Sequence, residues 1–550
     1  MKKIRYIINI SSIAIIFLGC NDILDIEPTD RITGIWENEA LVEAYVNGLY
    51  NSLQHGYCES MWGALTDEMH DHHNNGDTWI VQRGELTPDN VSTSATPTLP
   101  TFNKWGYAFS RIKDINEFFV QIESAPFDDE IKNHLKGEMK FIRAFLYAEL
   151  LWRYGDIPII TKVFELNEDY TDVTREPYDE VVDFIIKELD EAINLLPPQN
   201  ECEKGRATPD AALALKSRVL LYAASSLNNP THDLSKWQKA ADAAEALINT
   251  HRYTLNDDYK NLFLQENNEI IFARYFTKSL NHQINGLSGI NSMAGAGFNT
   301  PTENIVMDYE MANGELPYSV TVSNNSIDMV INPNSGYDPK NPYLNRDPRF
   351  YASILYDGSY FQGHEVETFD GGIDSPLSDV QPWNATMTGY YLHKFIDPSI
   401  SVSQYSADRN TNPWIFFRYG EILLNYAEAK FELGDEKTAR EIVNQIRARV
   451  NMPFIASSGE ELKEKIYHER RIELAFEGHR FFDVRRWKIL KEVSTKNILG
   501  MHIIKNSDGT KSYEIRQVAP VVFYEQHYRL PIPRTEIDRS KGALTQNPGY

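Results

Sequence analysis

Three glutamates near the C-terminal end of the chain recur at four-residue intervals: Glu469, Glu473 and Glu477. A pair of carboxyl groups can hydrolyse a glycosidic bond when the two face each other across a cleft, about 5 to 10 Å apart. Side chains four residues apart instead lie on one side of a single helix. Because Arg470 and Arg471 are interspersed with these glutamates, the spacing favours a structural ion-pair network. The sequence also has no Gly-x-Ser-x-Gly, His-Glu-x-x-His or phosphate-binding loop motif, and we predict that the protein is not an enzyme.

A histidine cluster is the second candidate for chemistry. His70, His72 and His73 lie close to Asp67 and Asp77, so imidazole and carboxylate ligands for a metal ion are present. Adjacent positions rarely converge on one ion, however, and a polar exposed loop explains the same residues equally well. We therefore predict no metal and no cofactor.

Aromatic residues in polar stretches are the third candidate. Trp79 follows Asn74-Asn75-Gly76-Asp77-Thr78, Tyr337 follows Asn334-Ser335-Gly336, and Trp383 precedes Asn384. Sugars present flat C–H faces that stack on such rings, while their hydroxyl groups need polar neighbours. This pattern indicates a glycan-binding surface, with local packing as the alternative for each ring. The tryptophans in helical patterns are assigned to the core: Trp105, Trp152, Trp237 and Trp487.

The N-terminal segment has the pattern of a lipoprotein signal. Lys2, Lys3 and Arg5 precede a short apolar run that ends in Gly19-Cys20. A run of about twelve residues is too short to span a bilayer as a helix. We predict a signal peptide over residues 1–19, with acylated Cys20 as the membrane anchor of the mature chain. An ordinary secretory signal in which Cys20 is incidental is the alternative.

Composition excludes some partners. The 550 residues carry a formal net charge of −24, which repels phosphate backbones and anionic headgroups, so no nucleic-acid partner is expected. Apart from Cys20 the chain has only Cys58 and Cys202, too few for a disulfide framework. Whether these two pair is left open by the sequence.

Hydrophobic periodicity predicts a mainly α-helical protein. The chain divides into a helical scaffold over about 37–265 and 415–490, a loop-rich region over about 266–414, and a C-terminal segment over 491–550. Within the scaffold, 418–433 and 436–450 resemble a tetratricopeptide helix–turn–helix around Gly434-Asp435. Such a unit needs neighbours on which to stack. The other predicted helix pairs are 102–154, 178–226 with a Thr208 cap, and 418–450 with 460–476.

Several long motifs in order resemble the SusD/RagB family of nutrient-binding outer-membrane lipoproteins, nearly from end to end. They are Gly205-Arg206-Ala207-Thr208, Arg346-Asp347-Pro348-Arg349, Arg418-Tyr419-Gly420-Glu421, Glu469-Arg470-Arg471-Ile472-Glu473-Leu474-Ala475-Phe476-Glu477-Gly478-His479-Arg480, and the ending Gln546-Asn547-Pro548-Gly549-Tyr550.

The resemblance implies a single SusD-like unit over 20–550, in which a superhelix of tetratricopeptide-type helix pairs supports a loop-rich ligand-binding half. It also implies an outer-membrane lipoprotein facing the cell exterior that passes an oligosaccharide or polysaccharide to a SusC-like TonB-dependent transporter. In the family, stacking aromatics flank a Pro-Thr…Asn-Gly segment, which here offers Phe298 and Tyr318. Asp67 and Gln82 are the polar candidates beside Trp79. The alternatives are an outer-membrane glycan-active hydrolase and a family member that binds peptide or glycoprotein glycans.

Overall fold

The helical part of the protein is a series of helices that pack side by side in chain order. The computed structural model describes residues 34–73, 76–91, 104–165, 168, 171–323 and 326–550. The predicted signal peptide and Cys20 lie outside these ranges. The helices are α1 (Glu39–Tyr50), α2 (Gly76–Gln82), α3 (Trp105–Ile122), α4 (Asp129–Tyr154), α5 (Tyr178–Leu195), α6 (Pro209–Ala224), α7 (Leu234–Ile248), α8 (Ile284–Ser288), α9 (Glu303–Val306), α10 (Pro348–Ser353), α11 (Tyr419–Glu432), α12 (Glu436–Arg449), α13 (Gly459–Glu473), α14 (Arg480–Arg486), α15 (Leu490–Ser494) and α16 (Arg534–Arg539).

The predicted mainly α-helical fold and its helix pairs are confirmed. α3 packs on α4, α5 on α6, and α11 on α12, while α13 packs on both α11 and α12. Helix ends follow local capping chemistry, because the Thr208 side chain accepts the backbone N–H of Ala211 at 3.0 Å and so begins α6 where predicted. No helix within the described ranges has both the length and the apolar character that crossing a bilayer requires.

The strands are short and pair in twos. In the described residues each pair is antiparallel, and the pairs are β1 (Met69–His70) with β3 (Thr300–Pro301), β2 (Ile270–Arg274) with β10 (Trp414–Arg418), β4 (Tyr318–Ser323) with β5 (Ser326–Ile331), β6 (Ile354–Leu355) with β9 (Tyr391–Leu392), β7 (Tyr360–Phe361) with β8 (His364–Glu365), and β11 (Ile498–Lys505) with β12 (Lys511–Ala519). The pairing of β2 with β10 brings together the two ends of the loop-rich region, which therefore leaves the scaffold and returns to it at one place.

One large apolar core runs through the helix stack. It contains Leu423 of α11 and Ile446 of α12, which are 1% and 0% exposed. The four tryptophans assigned to the core, Trp105, Trp152, Trp237 and Trp487, are at most 7% exposed, which confirms that assignment. The facing stripes predicted from sequence therefore meet in a common interior.

The two cysteines left open by the sequence do not pair. Cys58 and Cys202 are both free thiols. Cys58 is buried, and burial raises the pKa of its thiol, so it is an unreactive core residue.

The predicted ion-pair network at the end of α13 is confirmed, and it is buried. Glu473 accepts from Arg418 at 2.7 Å and from Arg349 at 3.0 Å, and it also pairs with Arg449. Burial alone would raise the pKa of Glu473, but these three guanidinium groups hold it well below its usual range. The flanking glutamates extend the network: Glu469 pairs with Arg349 and Arg447, and Glu477 with Arg418 and Lys394.

We expect truncation of the shared core to destabilise the protein. Leu423→Ala and Ile446→Ala should each lower the free energy of unfolding by about 2 to 5 kcal/mol, because each removes fully buried methyl groups and leaves a cavity. Urea denaturation of the single variants measures this. Unfolding midpoints equal to that of the unchanged protein would contradict the common core.

We also expect Glu473→Gln to destabilise the fold, by about 3 to 5 kcal/mol, because it leaves buried guanidinium groups without their anion. The matched control is Glu464→Gln, an exposed carboxylate on the same helix, which should change stability by less than about 0.5 kcal/mol. Equal thermal midpoints for the two variants would show that the network contributes nothing to stability.

Candidate functional site

Trp79 lies on the short helix α2, and two contacts fix its ring. The indole Nε1 donates to the backbone carbonyl of Asp71 at 3.3 Å. The Arg83 guanidinium lies 4.4 Å from the ring centroid and covers one face of the indole. The side chain is half-buried, so this aromatic ring is anchored by its polar edge rather than enclosed in the core.

The loop before α2 carries two histidines that connect Trp79 to other segments. The Asp71 carboxylate is buried and accepts the backbone N–H of His73 at 3.0 Å and the Ser60 hydroxyl. The His73 ring stacks on the Phe298 ring, with centroids 4.0 Å apart and planes inclined by 25°. The His72 ring lies 4.1 Å from that of His73. Both imidazoles therefore pack through their ring faces, as aromatic side chains do.

His72 reaches a third segment through a hydrogen bond. Its Nε2 lies 2.9 Å from the backbone carbonyl of Trp383, and because a carbonyl only accepts, Nε2 must carry the proton. Burial and the neighbouring His73 lower the pKa of His72 to about 4. The imidazole is therefore neutral at neutral pH and links the loop before α2 to the loop of Trp383.

Trp383 is the most exposed of the predicted aromatics, at 65%. It lies in a short turn that starts at Gln381, whose φ is +44°, and the Asn384 amide donates back to the Gln381 side chain at 3.0 Å. The turn packs tightly on Gly297: a Cβ at this position would lie 1.9 Å from the Asn384 carbonyl oxygen. Only glycine permits this approach, so the backbones that carry Phe298 and Trp383 are in direct contact.

Three of the five predicted aromatics are thus brought together, with two histidines between them. We call Trp79, Phe298, Trp383, His72 and His73 the aromatic surface. From the sequence, these histidines were candidates for metal ligands or for parts of a polar exposed loop, and no stacking role was predicted for them. The described residues contain no group of three His, Cys, Asp or Glu side chains placed to hold a metal ion. Their position in a loop rich in Asn and Asp, seven and six residues before Trp79, was the available signal for a stacking role.

The prediction that Tyr318 and Tyr337 present exposed rings is wrong. They are 4% and 8% exposed, and their ring centroids lie 4.8 Å apart in a small apolar cluster. The Tyr318 hydroxyl donates to the Glu303 carboxylate. A buried carboxyl group needs such a donor, and burial raises the pKa of Glu303. Both tyrosines are packing residues.

Asp67 and Gln82 are also buried, at 7% and 6% exposure, and support the site from behind instead of facing a ligand. Asp67 pairs with Arg471 at 2.5 Å and Arg480 at 2.9 Å. Burial would raise the pKa of Asp67, but the two guanidinium groups hold it well below its usual range. The backbone carbonyl of Gln82 accepts the N–H of Val522 at 2.7 Å. Neither side chain is therefore placed to contact a ligand at the surface, contrary to the prediction.

Two family models match the chain. One, of the SusD family, matches residues 264–550, and the other, described as starch-binding and associating with the outer membrane, matches residues 22–221. SusD-like protein P2 of Formosa agariphila is 25% identical over 575 aligned positions, which cover 100% of both chains. SusD-like protein P38 of the same organism is 25% identical over 90% of this chain and 93% of its own.

Solved structures agree with these matches. A SusD-like protein from Bacteroides fragilis superposes with a TM-score of 0.79 at 28% identity, covering 94% of this chain and 99% of that one. A laminarin-binding SusD-like protein superposes with a TM-score of 0.62 at 23% identity, covering 94% and 100%. The first family model alone spans more than half of the sequence, and the chain belongs to the SusD family, as its motifs predicted.

Proposed function

We propose that the protein binds an oligosaccharide or polysaccharide on the aromatic surface and does not change it chemically. The observation that carries the proposal is the convergence of Trp79, Phe298 and Trp383 from three separate segments around His72 and His73. Rings at a polar surface provide the flat apolar contacts that sugar C–H faces need. Arg83 is exposed and Gln381 is half-buried beside these rings, and both offer hydrogen-bonding groups to hydroxyls.

The comparisons support a carbohydrate ligand. A family model that matches this chain is described as starch-binding, and a protein of the same fold is described as laminarin-binding. Laminarin, a β-glucan, and starch, an α-glucan, are therefore the first ligands to test.

The carboxylates support binding rather than hydrolysis. Glu469, Glu473 and Glu477, the candidates for an acid and a nucleophile, are each held by buried cations. None of them belongs to the aromatic surface, so a glycan bound there would not reach them.

We further propose that the protein is anchored through acylated Cys20 in the outer membrane, faces the exterior, and delivers its ligand to a SusC-like TonB-dependent transporter. Support comes from the Gly19-Cys20 signal pattern, from the acidic residues Asp22, Asp25 and Glu27 that follow it, and from the family model described as associating with the outer membrane. A lipid anchor leaves the folded domain free to work at the surface.

We expect Trp79→Ala and Trp383→Ala each to weaken glycan binding about tenfold, because each removes a stacking ring worth about 0.5 to 1.5 kcal/mol beyond its buried area. The double variant should bind too weakly to detect. Affinity electrophoresis with laminarin and starch, followed by calorimetry on the polymer that binds, measures this.

The control for these variants is Phe454→Ala, which removes a 70% exposed ring from the loop between α12 and α13. It should leave glycan affinity unchanged, and all three single variants should keep the thermal midpoint of the parent protein. Parental affinity in the double variant would place the ligand elsewhere. Release of reducing ends from either polymer would favour the hydrolase alternative.

We expect Cys20→Ser to move the protein from the outer-membrane fraction to the soluble fraction without unfolding it, because only the acyl anchor is lost. Cell fractionation and mass spectrometry of the N-terminal peptide measure this. Unchanged membrane association, with no lipid mass on the parental peptide, would refute the anchor.

A further inference from the structure

A small cavity lies behind α2, between α14, α15 and the segment 521–527. Its volume is about 40 Å³. Half of its lining residues are aliphatic, and they include Leu65, Val81, Leu490, Val493, Val521 and Val522. Arg485 and His527 supply hydrogen-bond donors to the same wall. The wall also includes the polar residues Thr66, Gln82, Ser494 and Asn497, and Asp67, whose charge is compensated by Arg471 and Arg480.

Arg485 is a buried cation without an anionic partner. Its side chain is 6% exposed; Nε donates to the His527 carbonyl at 3.1 Å and Nη1 to the Phe481 carbonyl at 2.8 Å. Within the described part of the chain no carboxylate pairs with it, whereas the adjacent Arg486 pairs with both Glu428 and Asp483. A buried charge without a counter-ion is unfavourable. Accordingly, burial lowers the pKa of Arg485 to about 9.

His527 supplies a second hydrogen-bond donor that lacks an acceptor. The backbone N–H of Tyr524 donates to His527 Nδ1 at 3.3 Å. Nδ1 is therefore the acceptor nitrogen, and the proton of the neutral ring lies on Nε2. That Nε2 is buried and has no hydrogen-bond partner. Burial and the nearby Arg485 lower the pKa of His527 to about 4, so the ring is a neutral donor at neutral pH.

We propose that this cavity binds a small carboxylate with a short aliphatic tail. The carboxylate accepts hydrogen bonds from the Arg485 guanidinium and from His527 Nε2–H, and the tail lies against the valine and leucine side chains. One positive charge matches a monoanion, whereas a phosphate dianion would bring an uncompensated buried charge. A volume of about 40 Å³ holds about three waters, which corresponds to acids of about two to four carbons.

Butyrate is the probe, and butyramide, which has the same shape without the charge, is its control. Saturation-transfer NMR and thermal unfolding are measured with each compound at equal ionic strength on the full mature chain. We expect butyrate to bind with a dissociation constant on the order of millimolar and to raise the thermal midpoint, and butyramide to do neither.

Two variants test the cavity, one at its cationic end and one at its aliphatic end. Arg485→Met removes the cation, keeps the bulk of the side chain and should weaken butyrate binding at least tenfold. Val493→Phe fills the aliphatic end of the cavity and should weaken it similarly while Arg485 remains. Arg539→Met, which removes an arginine whose side chain is 67% exposed, should bind butyrate as the parent does.

Loss of binding in both cavity variants with retention in the control supports the site. No binding of butyrate by the parent chain, equal binding of butyramide, or parental affinity in Arg485→Met would overturn it and leave ordered water as the partner of these donors. If Arg485→Met does not fold, Val493→Phe decides. Glycan affinity, measured on the same variants, is expected to stay unchanged, so failure here is distinguishable from failure of the proposed function.

Discussion

The buried ion network around Glu473 is the interaction on which the rest of the structure depends. Arg418 lies at the end of β10, Arg349 in α10 of the loop-rich region, and Arg449 at the end of α12, and all three converge on this one carboxylate. Removing so many charges from water is costly, and the cost is offset only when every partner is in place. The network therefore selects one relative position for the scaffold helices and the loop-rich region, more stringently than apolar packing alone requires.

A second set of ion pairs transmits this rigidity to the aromatic surface. Asp67 is held by Arg471 of α13 and Arg480 of α14, so the chain just before the two histidines is attached to the scaffold. Three residues further on, His70 of β1 pairs with Thr300 of β3, which places Phe298 beside the same loop. The aromatic rings thus rest on ordered backbone, and a preorganised surface loses less conformational entropy when a ligand binds.

Sequence patterns were sufficient to predict the helices of the scaffold, because helical periodicity and capping depend on residues that are close together in the chain. The bounds of α4 and α6, and the shared core of Leu423 and Ile446, follow from them directly. The site was predictable only in part. Trp79 and Trp383 were selected because a large ring among polar residues is unusual, and both lie at the aromatic surface, but the same criterion also selected Tyr337, which is buried. The sequence of a polar loop does not show whether its aromatic rings are exposed or buried. The outcome depends on segments that are far away in sequence.

The aromatic surface is assembled from segments that are far apart in sequence. The hydrogen bond from His72 to the Trp383 carbonyl joins residues 311 positions apart, whereas the helix pairs join neighbours. Contacts between distant parts of a chain form late in folding, because the entropy of closing the loop opposes them. Helical content will consequently return before ligand affinity when the denatured protein is refolded. For a glycan that binds on the aromatic surface, as proposed, affinity is thus a measure of complete folding that circular dichroism does not provide.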